Sequence, residues 1–181
     1  MDIKNILIIL TVAVVIALLL FLTRKEKEVQ IKNVILYFSK PIEYIEESKA
    51  ENVFDQDKQT SWNPIKQEGK NYILGFDFNQ IKHITRIKVI SSKTKSYNSI
   101  NELKIRMPNG ELVYDTAKTI KPPTPSASSD SNIKEPQIID IDLTPALVCD
   151  KILLEFFCDT VDETSCDVRE VMFYEKQKTM F

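Results

Sequence analysis

Two hydrophobic patterns divide the chain. Residues 6–22, ILIILTVAVVIALLLFL, are apolar at every position but Thr11, so the run has no polar face. From Val34 onward the period is two, as expected of strands with one buried face. The β-rich run VILYF (34–38) comes first. Leu74, Phe76 and Phe78 share a face in YILGFDF (72–78), and in ITRIKVI (84–90) Ile87 and Val89 oppose Arg86 and Lys88. Leu103, Ile105 and Met107 alternate with Lys104 and Arg106 in ELKIRM (102–107). PNG (108–110) then leads into ELVYD (111–115). Asn-Gly between alternating runs signals a hairpin, because both residues tolerate positive φ.

QIIDIDL (137–143) sets Ile139, Ile141 and Leu143 against Asp140 and Asp142; KILLEFF (151–157) and VREVMFYE (168–175) follow. Many short strands and no long helix after residue 30 predict an all-β sandwich or barrel. PIEYIEESKAENVFD (41–55) has room for a turn or two of helix. TRKEKEVQIK (23–32) reads as a charged stalk, and KPPTPSASSDSN (121–132), rich in proline and serine, predicts a mobile excursion over 121–136. The organisation expected is an anchor over 1–23, a tether over 24–32, a sandwich over 33–177 and a tail over 178–181.

As a helix the apolar run is roughly 26 Å long, near the lower limit for crossing a bilayer. A cleaved signal peptide has a shorter apolar core and a small-x-small site after it. Here LLLFLTRKEKE follows, without such a site and without a lipobox cysteine. The expectation is an uncleaved single-pass anchor that places residues 6–22 in membrane lipid. Arg24, Lys25 and Lys27 against Lys4 would put the C-terminal domain in the cytoplasm by the positive-inside rule; a short N-terminal tail with Lys4 fits the opposite orientation.

Across 181 residues, 43% are hydrophobic and 28% charged, with a net charge of −2. That is the composition of one globular domain, without the clustered cations that nucleic acid requires. Abundant Lys, Ile and Asn point to an AT-rich, bacterial source. His83 is the only histidine and has no nucleophile motif around it; there is no glycine-rich phosphate loop and no H-E-x-x-H. The chain reads as a non-enzyme. Cys149, Cys158 and Cys166 lack a C-x-x-C or a histidine partner, so zinc is not expected. Cys158 and Cys166 flank a short loop and could pair in an oxidising compartment; the alternative is three buried thiols.

A strand, then AENVFDQDKQTSW (50–62), then NYILGFDFNQIKHITRIKVISS (71–92), and finally KILLEFFCDTVDETSCDVREVMFYE (151–175) form a recognisable order. It resembles the galactose-binding-like jelly roll of discoidin and coagulation-factor type C domains. Within that group it is most similar to the glycan-binding domain attached to bacterial NADases. The resemblance covers roughly residues 33–176. One departure stands out: Gln56 occupies the centre of the family's Asp-Gly-Asp turn.

For Asp55, Asp57, Thr60 and Trp62 three readings are open. They could form a folding clasp of side chains bonded to nearby amides, with Trp62 over the core edge. The resemblance implies a structural calcium site, with Glu170 as the glutamate of the last strand completing Asp55, Asp57 and Thr60. Trp62 could also be a sugar-stacking platform. The resemblance further implies a ligand held by loops at one end of the sandwich, and KTKSYNSIN (93–101) offers Lys95, Tyr97, Asn98 and Asn101 for it. The function expected is a membrane-anchored binding module for a glycan or similar polar envelope ligand. The alternative is an assembly subunit of a larger envelope membrane complex that binds no sugar. Family habit places the C-terminal domain outside the cytoplasm.

Overall fold

The structure is a computed structural model that describes residues 3–22, 26–40, 48–57, 59–64, 72–91, 100–116, 136–158 and 166–178. It divides into two compact units, Gln30–Glu175 and Met1–Val29 with Lys176–Phe181. In the second, the apolar run forms helix α1, Ile3–Leu22. Its described side chains, at positions 5, 6 and 9–16, are all exposed. Among the described residues no helix is long and apolar enough to cross a membrane.

The rest is β-structure: β1 Glu26–Gln30, β2 Ile35–Lys40, β3 Tyr72–Ser91, β4 Ile100–Arg106, β5 Leu112–Asp115, β6 Gln137–Cys158 and β7 Val168–Lys178. They are ordered β1-β7-β3-β6-β4-β5, with β2 also paired to β3. The strands predicted over 72–78 and 84–90 are one strand, β3, and those over 137–143 and 151–157 are one strand, β6. Together they make a long antiparallel ribbon, Tyr72 opposite Phe156 at one end and Ser91 opposite Gln137 at the other.

The register slips between Asp77 and Lys82 and between Ile84 and Arg86. Asn79 takes a left-handed φ of 60° there, its N–H donating to Asp77 Oδ1 at 2.7 Å. Extra residues on one strand bend a ribbon, and here the ribbon folds back on itself. Its first half joins β2, β4 and β5 in one layer; its second half joins β7 in the other. Period-two side chains from both halves meet between the layers. Phe76 of the first layer lies 5.0 Å, centroid to centroid, from Phe173 of the second, and both are buried. Leu74, Ile87, Leu103, Ile105, Ile152 and Leu154 are fully buried beside them. Each such side chain is worth about 1.5–3 kcal/mol of transfer free energy, which explains why the alternation specifies the register. The chain is an all-β sandwich.

Two local expectations change. The stalk over 24–32 contains strand β1: Val29 and Ile31 already alternate, and Ile31 is buried with its N–H bonded to the Phe173 carbonyl at 2.8 Å. Its Glu-Lys-Glu start concealed that period. The β4–β5 hairpin is present, yet only Gly110 has positive φ, 89°; Asn109 instead accepts the Glu111 N–H at 2.9 Å. Of the segment 41–55, expected to hold a turn or two of helix, residues 41–47 lie outside the described residues and Ala50–Phe54 form a 3-10 turn. The excursion over 121–136 lies, apart from Pro136, outside the described residues.

Candidate functional site

The folded-back ribbon gathers both its ends, and the segments that leave them, at one end of the sandwich. Ser91, where segment 92–99 begins, pairs with Val168, and its hydroxyl donates to the Asp167 carbonyl at 2.6 Å. Ile100, where that segment ends, pairs with Cys158. The side chain of Gln137, just after segment 117–135, accepts the Ile100 N–H at 2.9 Å and donates back to its carbonyl at 2.8 Å. Cys158 is disulfide-bonded to Cys166 across segment 159–165, with a Cα separation of 5.9 Å. Thr116 is buried and fixed to Leu103 through both its amide and its hydroxyl. A rigid frame thus holds the roots of several segments at one place, the arrangement in which a scaffold presents binding loops. The opposite end carries the ribbon's bend, and Glu175 reaches it opposite Ile84.

Trp62 belongs to the frame. Its backbone bridges Val168, with N–H to carbonyl distances of 2.8 and 3.1 Å. Its ring is fully buried and meets Tyr72 and Phe156 edge-on, at 6.4 and 6.2 Å. A ring with no exposed face is no stacking platform, so that reading is replaced by a core role. Its Nε1 has no hydrogen-bond partner among the described residues.

The turn before it closes on itself. Asp55 Oδ1 accepts the Asp57 N–H at 2.8 Å, and Asp57 Oδ1 accepts the Gln59 N–H at 2.9 Å. The Thr60 hydroxyl lies 2.7 Å from Asp55 Oδ2 and 2.8 Å from the Asp57 carbonyl, sharing one proton between them. Gln56 takes φ 66°, the left-handed conformation that glycine adopts most readily. This is the clasp geometry. The calcium reading also needs Glu170 beside Asp55 and Asp57, but among the described residues no three acidic, histidine or cysteine side chains gather into a metal-holding group. Glu170 is buried on β7, where its strand neighbour is Ile90, while both aspartates are committed to groups in their own turn.

Lys95, Tyr97 and Asn98 lie outside the described residues. Asn101 is half-buried in β4, at a bulge where Ile100 and Glu102 pair with the consecutive Cys158 and Phe157. His83 is exposed on β3 opposite Val148. Cys149 is free and buried, its thiol pushed up to about 11 by desolvation first and the Asp150 carboxylate second. Of the acid pair, Asp140 is bound bidentately by Arg86, through Nε at 2.6 Å and through Nη2. The Gln137–Ile100 clamp has no signature along the chain: a polar residue opening a strand carries no mark of which backbone it will meet.

No protein-family model and no curated protein matches the chain. Solved structures do. A family 32 carbohydrate-binding module of NanJ from Clostridium perfringens, solved in complex with galactose, superposes with a TM-score of 0.59 at 14% identity, over 82% of this chain and 100% of that one. The third such module of a family 31 glycoside hydrolase from the same organism gives 0.60 at 11% identity, over 82% and 94%. The module of AlyQ, in complex with 4,5-unsaturated mannuronic acid, gives 0.50 at 18%, over 80% and 97%. The fold is the galactose-binding-like jelly roll. At these identities the likeness is one of fold; the similarity to the NADase-attached domain rests on the sequence motifs alone.

Proposed function

We propose that the chain is a non-catalytic carbohydrate-binding module, tethered to a membrane and displayed outside the cytoplasm. The observation that carries the reading is the pairing of this fold with a frame that roots segments 65–71, 92–99, 117–135 and 159–165 at one end. Modules of this fold have been solved with galactose, with N-acetylgalactosamine and with an unsaturated mannuronic acid. Lys95, Tyr97 and Asn98 belong to segment 92–99, whose roots Ser91 and Ile100 are fixed in that frame.

The tether is supported by the 6–22 run and by the exposure of α1. Ile9, Leu10, Val12, Val14, Val15 and Ile16 are each more than half exposed. Apolar side chains exposed in this way favour a nonpolar surrounding. The Cys158–Cys166 disulfide supports an oxidising compartment for the sandwich.

Binding of the full chain to galactosides, N-acetylgalactosamine and uronic-acid oligosaccharides, measured by calorimetry in a sugar-free detergent, tests the reading. Saturable binding upholds it. No binding to any of them, with a membrane protein co-purifying, would assign the chain to an assembly role instead. A reporter active only outside the cytoplasm, fused after Phe181, should be active; activity of a cytoplasm-only reporter would reverse the orientation.

A further inference from the structure

Strand β2 breaks its own alternation. Val34 and Leu36 pack against the core, while Ile35 and Tyr37 are exposed, at 49% and 41%. Strict period two would turn Phe38 inward, yet it is 42% exposed. The cause is a bulge: Leu36 pairs with Phe76 and Phe38 with Gly75, leaving Tyr37 as the extra residue. A bulge re-aims a side chain, and this one sets two adjacent aromatic rings on the outer face of the first layer.

Gly75 makes room for them. A Cβ there would lie 2.9 Å from Phe38 Cβ and 3.0 Å from both Tyr37 Cε1 and Leu153 Cδ2. Tyr37 therefore rests against the sheet, where any larger residue on β3 would push it off. An ion pair reaches over the ring: Lys151 Nζ lies over Tyr37, 5.2 Å from its centroid, and 3.1 Å from Asp77 Oδ2. Asp77 is held below the usual carboxylate range, first by the Asn79 N–H and then by Lys151, so acceptor and donor stand charged side by side.

We propose that this face, at Tyr37 and Phe38, is a carbohydrate-binding surface separate from the loop end, taking the apolar C–H face of a neutral pyranose. The inference rests on the carbohydrate reading above and extends it to a different part of the molecule. Phe38, with the part of the Tyr37 ring that Lys151 leaves open, supplies stacking area, and the Lys151–Asp77 pair supplies a donor and an acceptor for flanking hydroxyls. Charge bears on the ligand class. Three cations on this face are matched within it, Lys151 by Asp77 at 3.1 Å, Lys104 by Glu102 at 2.7 Å and Arg106 by Glu155 at 2.8 Å, while Lys40 is exposed on β2 beside them. A polyanion needs clustered unpaired cations, which these pairs do not offer, while a neutral polyol needs none. Size selects more sharply. Three side chains exposed by 41–49% offer roughly 250 Å², well short of the about 800 Å² per partner of a stable protein interface.

Amide NMR of the full chain in a sugar-free detergent, titrated with methyl β-galactopyranoside to millimolar concentration, tests the proposal. Shifts are expected at residues 35–40 and Gly75, and Tyr37→Ser should weaken them by about fivefold or more. If that variant does not fold, Phe38→Ser and Lys151→Met are expected to weaken the same shifts. Shifts confined to the frame around Ser91, Ile100 and Val168 would overturn this surface while leaving the loop-end reading intact. Shifts at β2 that survive all three substitutions would also overturn it. No shift anywhere, with the galactoside, N-acetylgalactosamine or a uronic-acid oligosaccharide, would overturn both.

Discussion

Gln137 holds Ile100 by both ends of its side-chain amide, with N···O distances of 2.9 and 2.8 Å. A side chain here does what a neighbouring strand would do, satisfying a backbone N–H and carbonyl at the head of β4. With Ile100 also paired to Cys158, the head of β4 is tied to both ends of β6 at the loop end. Gln137→Ala removes both bonds and should cost about 1–3 kcal/mol in urea unfolding. Gln137→Glu keeps the acceptor but turns an anion toward the Ile100 carbonyl, so it should be no better tolerated than alanine. A glutamate variant as stable as the parent would show that the clamp contributes nothing.

Trp62 is the only tryptophan, and its burial makes a direct optical forecast. Emission should be blue-shifted, resist acrylamide quenching, and stay unchanged when a galactoside is added. Because Nε1 has no partner among the described residues, Trp62→Phe forfeits packing but no hydrogen bond. It should cost less than about 2 kcal/mol, against about 3–5 kcal/mol for Trp62→Ala. Quenching by sugar would return Trp62 to the role of platform.

Alternation made the layers legible, since Leu74, Phe76, Ile152 and Leu154 could be assigned to a buried face from spacing alone. It could not reveal that 72–78 and 84–90 are one strand. The bend between them depends on Asn79 adopting a left-handed conformation and on unequal residue numbers in the two strands, and neither is visible in either strand alone. The bulge at Tyr37 was hidden for the same reason: two adjacent aromatics in VILYF read equally well as a strand buried on both faces. The clasp was legible because its bonds are local, Asp55 to Asp57 and Thr60. Glu170 was not, because its surroundings are set by strand register and not by sequence distance.

Gln56 sits at φ 66°, where an L-residue costs about 1–2 kcal/mol. Glycine removes that cost and adds about 0.5–1 kcal/mol of unfolded-chain entropy. Gln56→Gly should therefore stabilise the fold by up to about 1 kcal/mol, seen as a higher urea midpoint with unchanged slope. Destabilisation by glycine would mean that the Gln56 side chain makes a contact worth more than its backbone conformation costs.

The Cys158–Cys166 bridge closes a short loop, its cysteines eight residues apart. In the chain-entropy account such a loop is worth about 2–3 kcal/mol. Dithiothreitol should lower the urea midpoint correspondingly, and Cys158→Ser with Cys166→Ser should reproduce the effect without reductant. Cys149, buried and with its thiol pushed up to about 11, should not react with a thiol reagent until the chain unfolds. One thiol titrated per unfolded, non-reduced chain is the expected result; three would mean the bridge does not form.

Arg86 and Asp140 set an acid-side dependence whose direction follows from the pair. The guanidinium beside Asp140 holds its carboxyl below the usual carboxylate range; partial burial opposes this, and Lys88 adds to it. A carboxylate with a lower folded than unfolded pKa stabilises the fold above the unfolded value, about 3.9, and that contribution is lost as pH falls through the folded value. Asp140→Asn should therefore lower Tm at neutral pH and flatten its fall below about pH 4, the two curves converging in strong acid. The loss should be modest, because the pair is about one-third exposed, salt screens it, and Asp142, 3.9 Å from the same guanidinium, can take part of the charge. Calorimetric scans of both proteins across this range that run parallel would show that the Arg86–Asp140 pair is not coupled to folding.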